Sequence, residues 1–167
     1  FTLGAGAIWD NGGTVTITSG GCGYIGTNAI LNNSGTFDIG GNFGLQFTGT
    51  GGQFNNLAGG TTILSGVYGL PFYNSGVNGT FSNAGALNKT SASTQSFHVI
   101  NTGTINVSTG MMELTGAWTN AAGTINLSGG VLGLGGNFTT AAIPLGSINR
   151  TGGALNLTGV LDNTGAT

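Results

Sequence analysis

Trp118-Thr119-Asn120-Ala121-Ala122-Gly123-Thr124-Ile125-Asn126-Leu127 carries the phrase from which most of the chain is built. A large apolar residue is followed by any residue, then Asn, then after a short gap Gly, then a strand that alternates polar and apolar. The phrase recurs at Trp9-Asp10-Asn11, Leu31-Asn32-Asn33, Phe54-Asn55-Asn56, Phe81-Ser82-Asn83 and Leu161-Asp162-Asn163. Val99-Ile100-Asn101 is a fainter copy, and Phe138-Thr139-Thr140 keeps the aromatic without the Asn. Repetition at this period marks a solenoid, in which each unit buries its apolar face only on its neighbours.

The glycines that follow each Asn anchor the period: Gly13, Gly35, Gly60, Gly85, Gly103, Gly123, Gly146 and Gly165. They space coils of about 18–25 residues, enough for three short strands and their turns, and about 7–8 such coils fit the chain. Apolar residues recur at every second position, not at the three-and-four spacing of a helix. Val15, Phe37, Ile105 and Ile125 face one way, and Thr16, Asp38, Asn106 and Asn126 the other. Second strands follow at Phe43-Gly44-Leu45, Met112-Glu113-Leu114, Leu132-Gly133-Leu134 and Leu155-Asn156-Leu157.

The expected fold is therefore all-β, a parallel β-helix forming a single domain over residues 1–167. Stacked coils put like positions above one another. That predicts a core column of Trp9, Leu31, Phe54, Phe81, Trp118, Phe138 and Leu161. Beside it runs a turn ladder of Asn11, Asn33, Asn56, Asn83, Asn101, Asn120 and Asn163. Asn suits such corners because it tolerates the left-handed conformation, and stacked amides can hydrogen-bond up the column. The pattern is least regular at Asn88–Val99 and Leu70-Pro71-Phe72-Tyr73, which read as loops or a bulged coil.

Composition narrows the function. Lys89, Arg150, Asp10, Asp38, Glu113 and Asp162 are the charged residues, too sparse to neutralise nucleic-acid phosphate. No stretch has the length of a membrane-spanning helix. Strands interrupted this often by Gly and Asn do not suit an outer-membrane barrel either. Phe1 reads as a processed or excised end. Cys22 is the sole cysteine, so the chain has no internal disulfide.

Local motifs fare poorly as chemistry. Gly21-Cys22-Gly23-Tyr24-Ile25-Gly26 matches a dinucleotide fingerprint in letters but opens no helix. Cys22 and His98 fall on coils too far apart to act as nucleophile and base. Asp38 and Asn42 are too isolated to hold a metal, and four scattered acids supply no glycosidase pair. No catalytic residue, cofactor site or metal site is expected. Lys89 and Arg150 occupy a strand slot that is apolar in other coils. A buried unpaired cation is costly, so the favoured reading ends those strands one residue early, and the other turns both cations toward a partner subunit.

Asn101-Thr102-Gly103-Thr104-Ile105-Asn106-Val107 and Gly153-Ala154-Leu155-Asn156-Leu157-Thr158-Gly159 resemble the β-helix repeats of giant bacterial surface proteins, the filamentous-haemagglutinin-like adhesins and autotransporter-type passengers. The resemblance covers nearly the whole chain as a repeat grammar. It implies a right-handed β-helix, secretion, and a role as stalk, adhesin or fibre, and it carries over no active-site residue. Both ends read as mid-repeat text without caps, so Gly165-Ala166-Thr167 joined to Phe1-Thr2-Leu3 would make a normal phrase. The expectation is a structural unit of a longer extracellular or cell-surface rod, with its own kind as head-to-tail partner. The alternative is an adhesin binding glycan near Tyr73 and His98. A polysaccharide-active enzyme ranks third.

Overall fold

The computed structural model describes residues 1–18, 20–120, 122–141 and 145–164. Over these the chain winds into a β-solenoid of about seven turns, with every strand pairing parallel and joining one coil to the next. The helical content of the described residues is one 3-10 turn, Leu145–Ser147.

A long sheet of seven strands runs from Thr14–Ile17 to Ile148–Arg150. It spans roughly 30 Å of axis at the usual strand spacing. A second face stacks Ile8–Asn11, Ile30–Asn33, Gln53–Asn56, Thr80–Asn83 and Ile100–Asn101 in register. The remaining face changes hands halfway. Thr2–Leu3, Gly23–Ile25, Leu45–Phe47 and Phe72–Asn74 form one sheet, and Thr94–Phe97, Met111–Leu114, Val131–Leu134 and Ala154–Leu157 form another.

The break follows from coil length. Successive ladder asparagines are 22, 23 and 27 residues apart, then 18 and 19. The longest coil carries its extra residues in two places, 57–60 and 65–71, and Thr94–Phe97 stacks on the second of these segments instead of on Phe72–Asn74: Ser96 N donates to Gly69 O at 2.7 Å. Gln95 Nε2 donates to the carbonyls of Gly66 (3.3 Å) and Tyr68 (3.2 Å). Irregular backbone inside a fold must find such partners or leave buried carbonyls unpaired.

This corrects the reading of Asn88–Val99 as loops or a bulged coil. It contains the end of one strand, Ala86–Lys89, and all of another, Thr94–Phe97. Alternation is intact there, but Lys89 and Gln95 fill inward slots and are fully buried. The strand does not end before Lys89, which pairs in register with Leu64 and Val107. Its Nζ donates to the Ser91 carbonyl and to Ser91 Oγ. Arg150 also lies within its strand, exposed near the last coil, and donates through Nε (3.1 Å) and Nη2 (2.7 Å) to Gly153 O.

Each coil sends its apolar side chains to a common interior. Phe72 stacks on Phe81 at 4.0 Å between centroids, and Phe54 lies 5.4 Å from Phe81. Full burial of each such side chain is worth about 1.5–3 kcal/mol before entropy is charged against it. The anchor glycines have a cause that composition did not suggest. A Cβ on Gly35 would sit 2.1 Å from Gly13 O, and one on Gly103 2.3 Å from Gly85 O, so Gly35, Gly60, Gly85 and Gly103 are glycine because coils touch backbone to backbone, while a Cβ on Gly123 would meet the Asn101 side chain and one on Gly146 open space.

Candidate functional site

The apolar column takes shape along the second face. Trp9, Leu31, Phe54 and Phe81 stand opposite one another strand by strand, and Phe138 opposes Leu161. Leu31, Phe54 and Phe81 are fully buried, Trp118 and Phe138 nearly so. Trp118 lies 5.1 Å from Phe138, and its indole Nε1 donates to Gly135 O at 2.7 Å. Trp9 is half-buried in the first coil, and Leu161 is exposed in the last.

Beside it runs a buried amide ladder. Nδ2 of Asn11, Asn33 and Asn56 each donates at 2.7 Å to Oδ1 of the Asn one coil on. Asn83 donates to Asn101 at 2.6 Å, Asn101 to Asn120, and Asn120 to Ser147 Oγ at 2.8 Å. Asn163 is exposed beyond the final strand. The left-handed explanation for these asparagines is wrong: among the described residues Asn28 is the one non-glycine with positive φ. Asn11, Asn33, Asn56, Asn83 and Asn101 close extended strands, and what the position selects is an amide that can both accept from below and donate above.

Outward ladders accompany the inner one and were not foreseen. Asn106 donates to Asn88 (2.8 Å), Asn126 to Asn106 (2.8 Å) and Asn149 to Asn126 (3.1 Å) along the long sheet. On the second face Asn55 donates to Asn32 and Asn32 to Asp10. The surface amides of these two faces thus satisfy one another. The doubling of Asn at Asn32-Asn33 and Asn55-Asn56 was the available signal.

Of the residues expected at an end-to-end contact, Thr2 and Leu3 pair with Tyr24 and Ile25. The Phe1 ring packs edge-on against Trp9 at 5.0 Å. Gly165, Ala166 and Thr167 lie outside the described residues. Cys22 Sγ donates to Gly44 O at 3.1 Å, and burial pushes its thiol pKa up, contact with Tyr24 opposing. His98 Nε2 donates to Gly79 O at 3.1 Å. No group of three or more His, Cys, Asp or Glu among the described residues could hold a metal ion. No helix there is long and apolar enough to cross a membrane.

The third face carries a surface of another kind. Period-two alternation buries Ile25, Leu45, Phe47 and Phe72, which turns Tyr24, Gln46 and Tyr73 outward in one in-register column. Tyr68 and Phe43, 6.1 Å apart and tilted at 45°, stand over this column as a wall. Gly44 allows the approach, since a Cβ there would lie 2.4 Å from Pro71 O. The result is an open groove of about 540 Å³. The chain's 3 tyrosines all line it. So do Phe1 and Phe43, the exposed phenylalanines among the described residues. No Asp, Glu, Lys or Arg side chain lines it. Sequence reading placed Tyr73 in a loop or a bulged coil and missed the column, because Tyr24 and Tyr73 align only once the unequal coil lengths are known.

No family model matches the chain, and no curated protein or solved structure compared with it is similar.

Proposed function

We propose that this chain is a structural segment of an extracellular or cell-surface rod, a stalk or fibre unit without catalytic work of its own. The observation that carries the reading is the buried amide ladder from Asn11 to Ser147, which runs with the parallel sheets along the axis. Hydrogen bonds aligned with the axis resist extension together, and the outward amide ladders leave a surface with little charge to respond to pH or salt. A rod is the use that such a geometry serves.

Head-to-tail stacking with further coils of the same kind belongs to the proposal. Its support is a pair of levels at one end: Leu132 and Leu134 are buried, while Leu155 and Leu157, opposite them one coil on, are 36 % and 64 % exposed. A further coil on that level would bury both, at about 25 cal/mol per Å² of apolar surface. Negative-stain microscopy of the purified chain tests this. Filaments that lengthen with concentration and vanish in Leu157→Lys are expected. Isolated short particles at every concentration would remove the assembly part of the proposal.

A further inference from the structure

We propose that the groove over Tyr24, Gln46 and Tyr73 binds a neutral, extended, β-linked polysaccharide lying along the solenoid axis. The proposal does not rest on the rod reading, since a chain could bind glycan without stacking, or stack without binding. Four observations converge on it.

The aromatic surface is concentrated. All exposed aromatic side chains among the described residues belong to this groove, although Phe, Tyr and Trp are spread over the sequence. Scattered exposure of single apolar residues needs no explanation, but such a cluster does.

The spacing is regular. Tyr24 and Tyr73 both pair with Gln46, one coil to either side, which sets the rings about 9.6 Å apart along the axis. That is close to the length of a disaccharide in an extended β-linked chain, which presents like ring faces at every second sugar. The apolar C–H face of a sugar packs on an aromatic ring, and a straight chain meets both tyrosines in one pose.

The polar groups are free. The outward amides of the other two faces are bonded to one another in ladders. Among the described residues the Gln46 amide and the Tyr73 hydroxyl form no hydrogen bond within the protein. A side-chain amide between two rings supplies both a donor and an acceptor to sugar hydroxyls.

The chemistry of the lining selects among ligands. The groove holds no charged side chain, and the one cation beside it, the Phe1 ammonium, donates to Cys22 O at 3.3 Å, so an acidic polymer gains no side-chain ion pair and a nucleic acid no array of counter-charges for its phosphates. An apolar protein face would leave the free amide and hydroxyl unpaired at a cost. A neutral polyol satisfies both.

The test is native affinity electrophoresis of the purified chain in gels carrying hydroxyethylcellulose, dextran or polygalacturonate, followed by calorimetry with cellohexaose. Retardation by hydroxyethylcellulose alone is expected. Tyr24→Ala and Tyr73→Ala should each weaken cellohexaose binding about tenfold, the scale of one aromatic contact. Tyr73→Phe, which keeps the ring, should stay within about threefold of the original. Both positions point outward, and urea unfolding of each variant confirms that the fold is kept. The proposal is overturned by absence of retardation in hydroxyethylcellulose or by retardation in polygalacturonate or dextran instead. It is equally overturned if Tyr73→Ala binds as tightly as the original chain, or if the groove mediates self-association that Tyr73→Ala abolishes.

Discussion

Asn83→Ala lowers the stability of the folded chain by about 3–4 kcal/mol, several times the cost of an ordinary surface substitution. Asn83 is fully buried at the middle of the amide ladder. It accepts from Asn56 at 2.7 Å and donates to Asn101 at 2.6 Å, with longer bonds to the carbonyls of Gly85 and Thr104 at 3.3 Å. Each buried bond contributes about 1 kcal/mol net, and each buried partner left without one costs about 1–3 kcal/mol. Asn56 Nδ2 keeps two carbonyl partners, Gly60 and Ala86, so the larger loss falls on the Asn101 side. The outward ladder is the control. Asn55 is only partly buried, so Asn55→Ala costs well under about 1 kcal/mol because water replaces what is lost. Urea midpoints of the two variants compare them directly. Equal losses at the two positions would mean that the inner ladder contributes nothing special.

Lys89→Met stabilises the chain at neutral pH, by about 1–3 kcal/mol, and removes a rise of stability with pH. Burial lowers the Lys89 pKa from its ordinary 10.5 to about 8. Between those values the unfolded chain binds more protons than the folded one, so stability climbs with pH across that window. Below about pH 8 the ammonium is charged in both states and the folded chain carries the whole desolvation cost. Above 10.5 the amine is neutral in both, and the cost is gone. From pH 7 to 9.5 the original chain should gain about 2 kcal/mol relative to Lys89→Met, which keeps only the opposing fall that the raised thiol pKa of Cys22 imposes at the upper end of the window. Met keeps the volume of a slot whose neighbours in register are Leu64 and Val107. The hydrogen bonds from Nζ to Ser91 are lost, and Ser91 Oγ retains Ser93 and Gln95 as neighbours. Urea unfolding at the two pH values reads both effects. A variant less stable than the original at pH 7 would show that the Ser91 bonds outweigh the desolvation of the amine.

The coil stack was legible because like residues must sit above like in a solenoid, so the Trp9-to-Leu161 column and the Asn period could be read as positions on one structure. What stayed hidden has physical causes. Lys89 and Gln95 disguised two strands, since buried polar residues imitate loop composition; only the carbonyls of Gly66 and Tyr68, left unpaired by the long coil, explain Gln95. Gly35, Gly60, Gly85 and Gly103 served in the sequence only as markers of the period, because the approach of one coil's backbone to the next, which requires them, leaves no local signal. The tyrosine groove depends on register between coils of 22 to 27 residues, and no local pattern in the sequence reveals which Tyr faces which.

Disulfide trapping between outward positions tests the stacking of coils in register most directly. Asn106 and Asn126 oppose each other on adjacent coils, and Asn149 stands one coil beyond. In a Cys22→Ser background, Asn106→Cys with Asn126→Cys should oxidise readily, because the Cα separation of about 4.8 Å lies in the range a disulfide bridges. Asn106→Cys with Asn149→Cys, about twice as far apart, should stay reduced under the same conditions. Equal oxidation of the two pairs, or oxidation of the distant pair alone, would contradict the stacked coil on which both the rod and the groove depend.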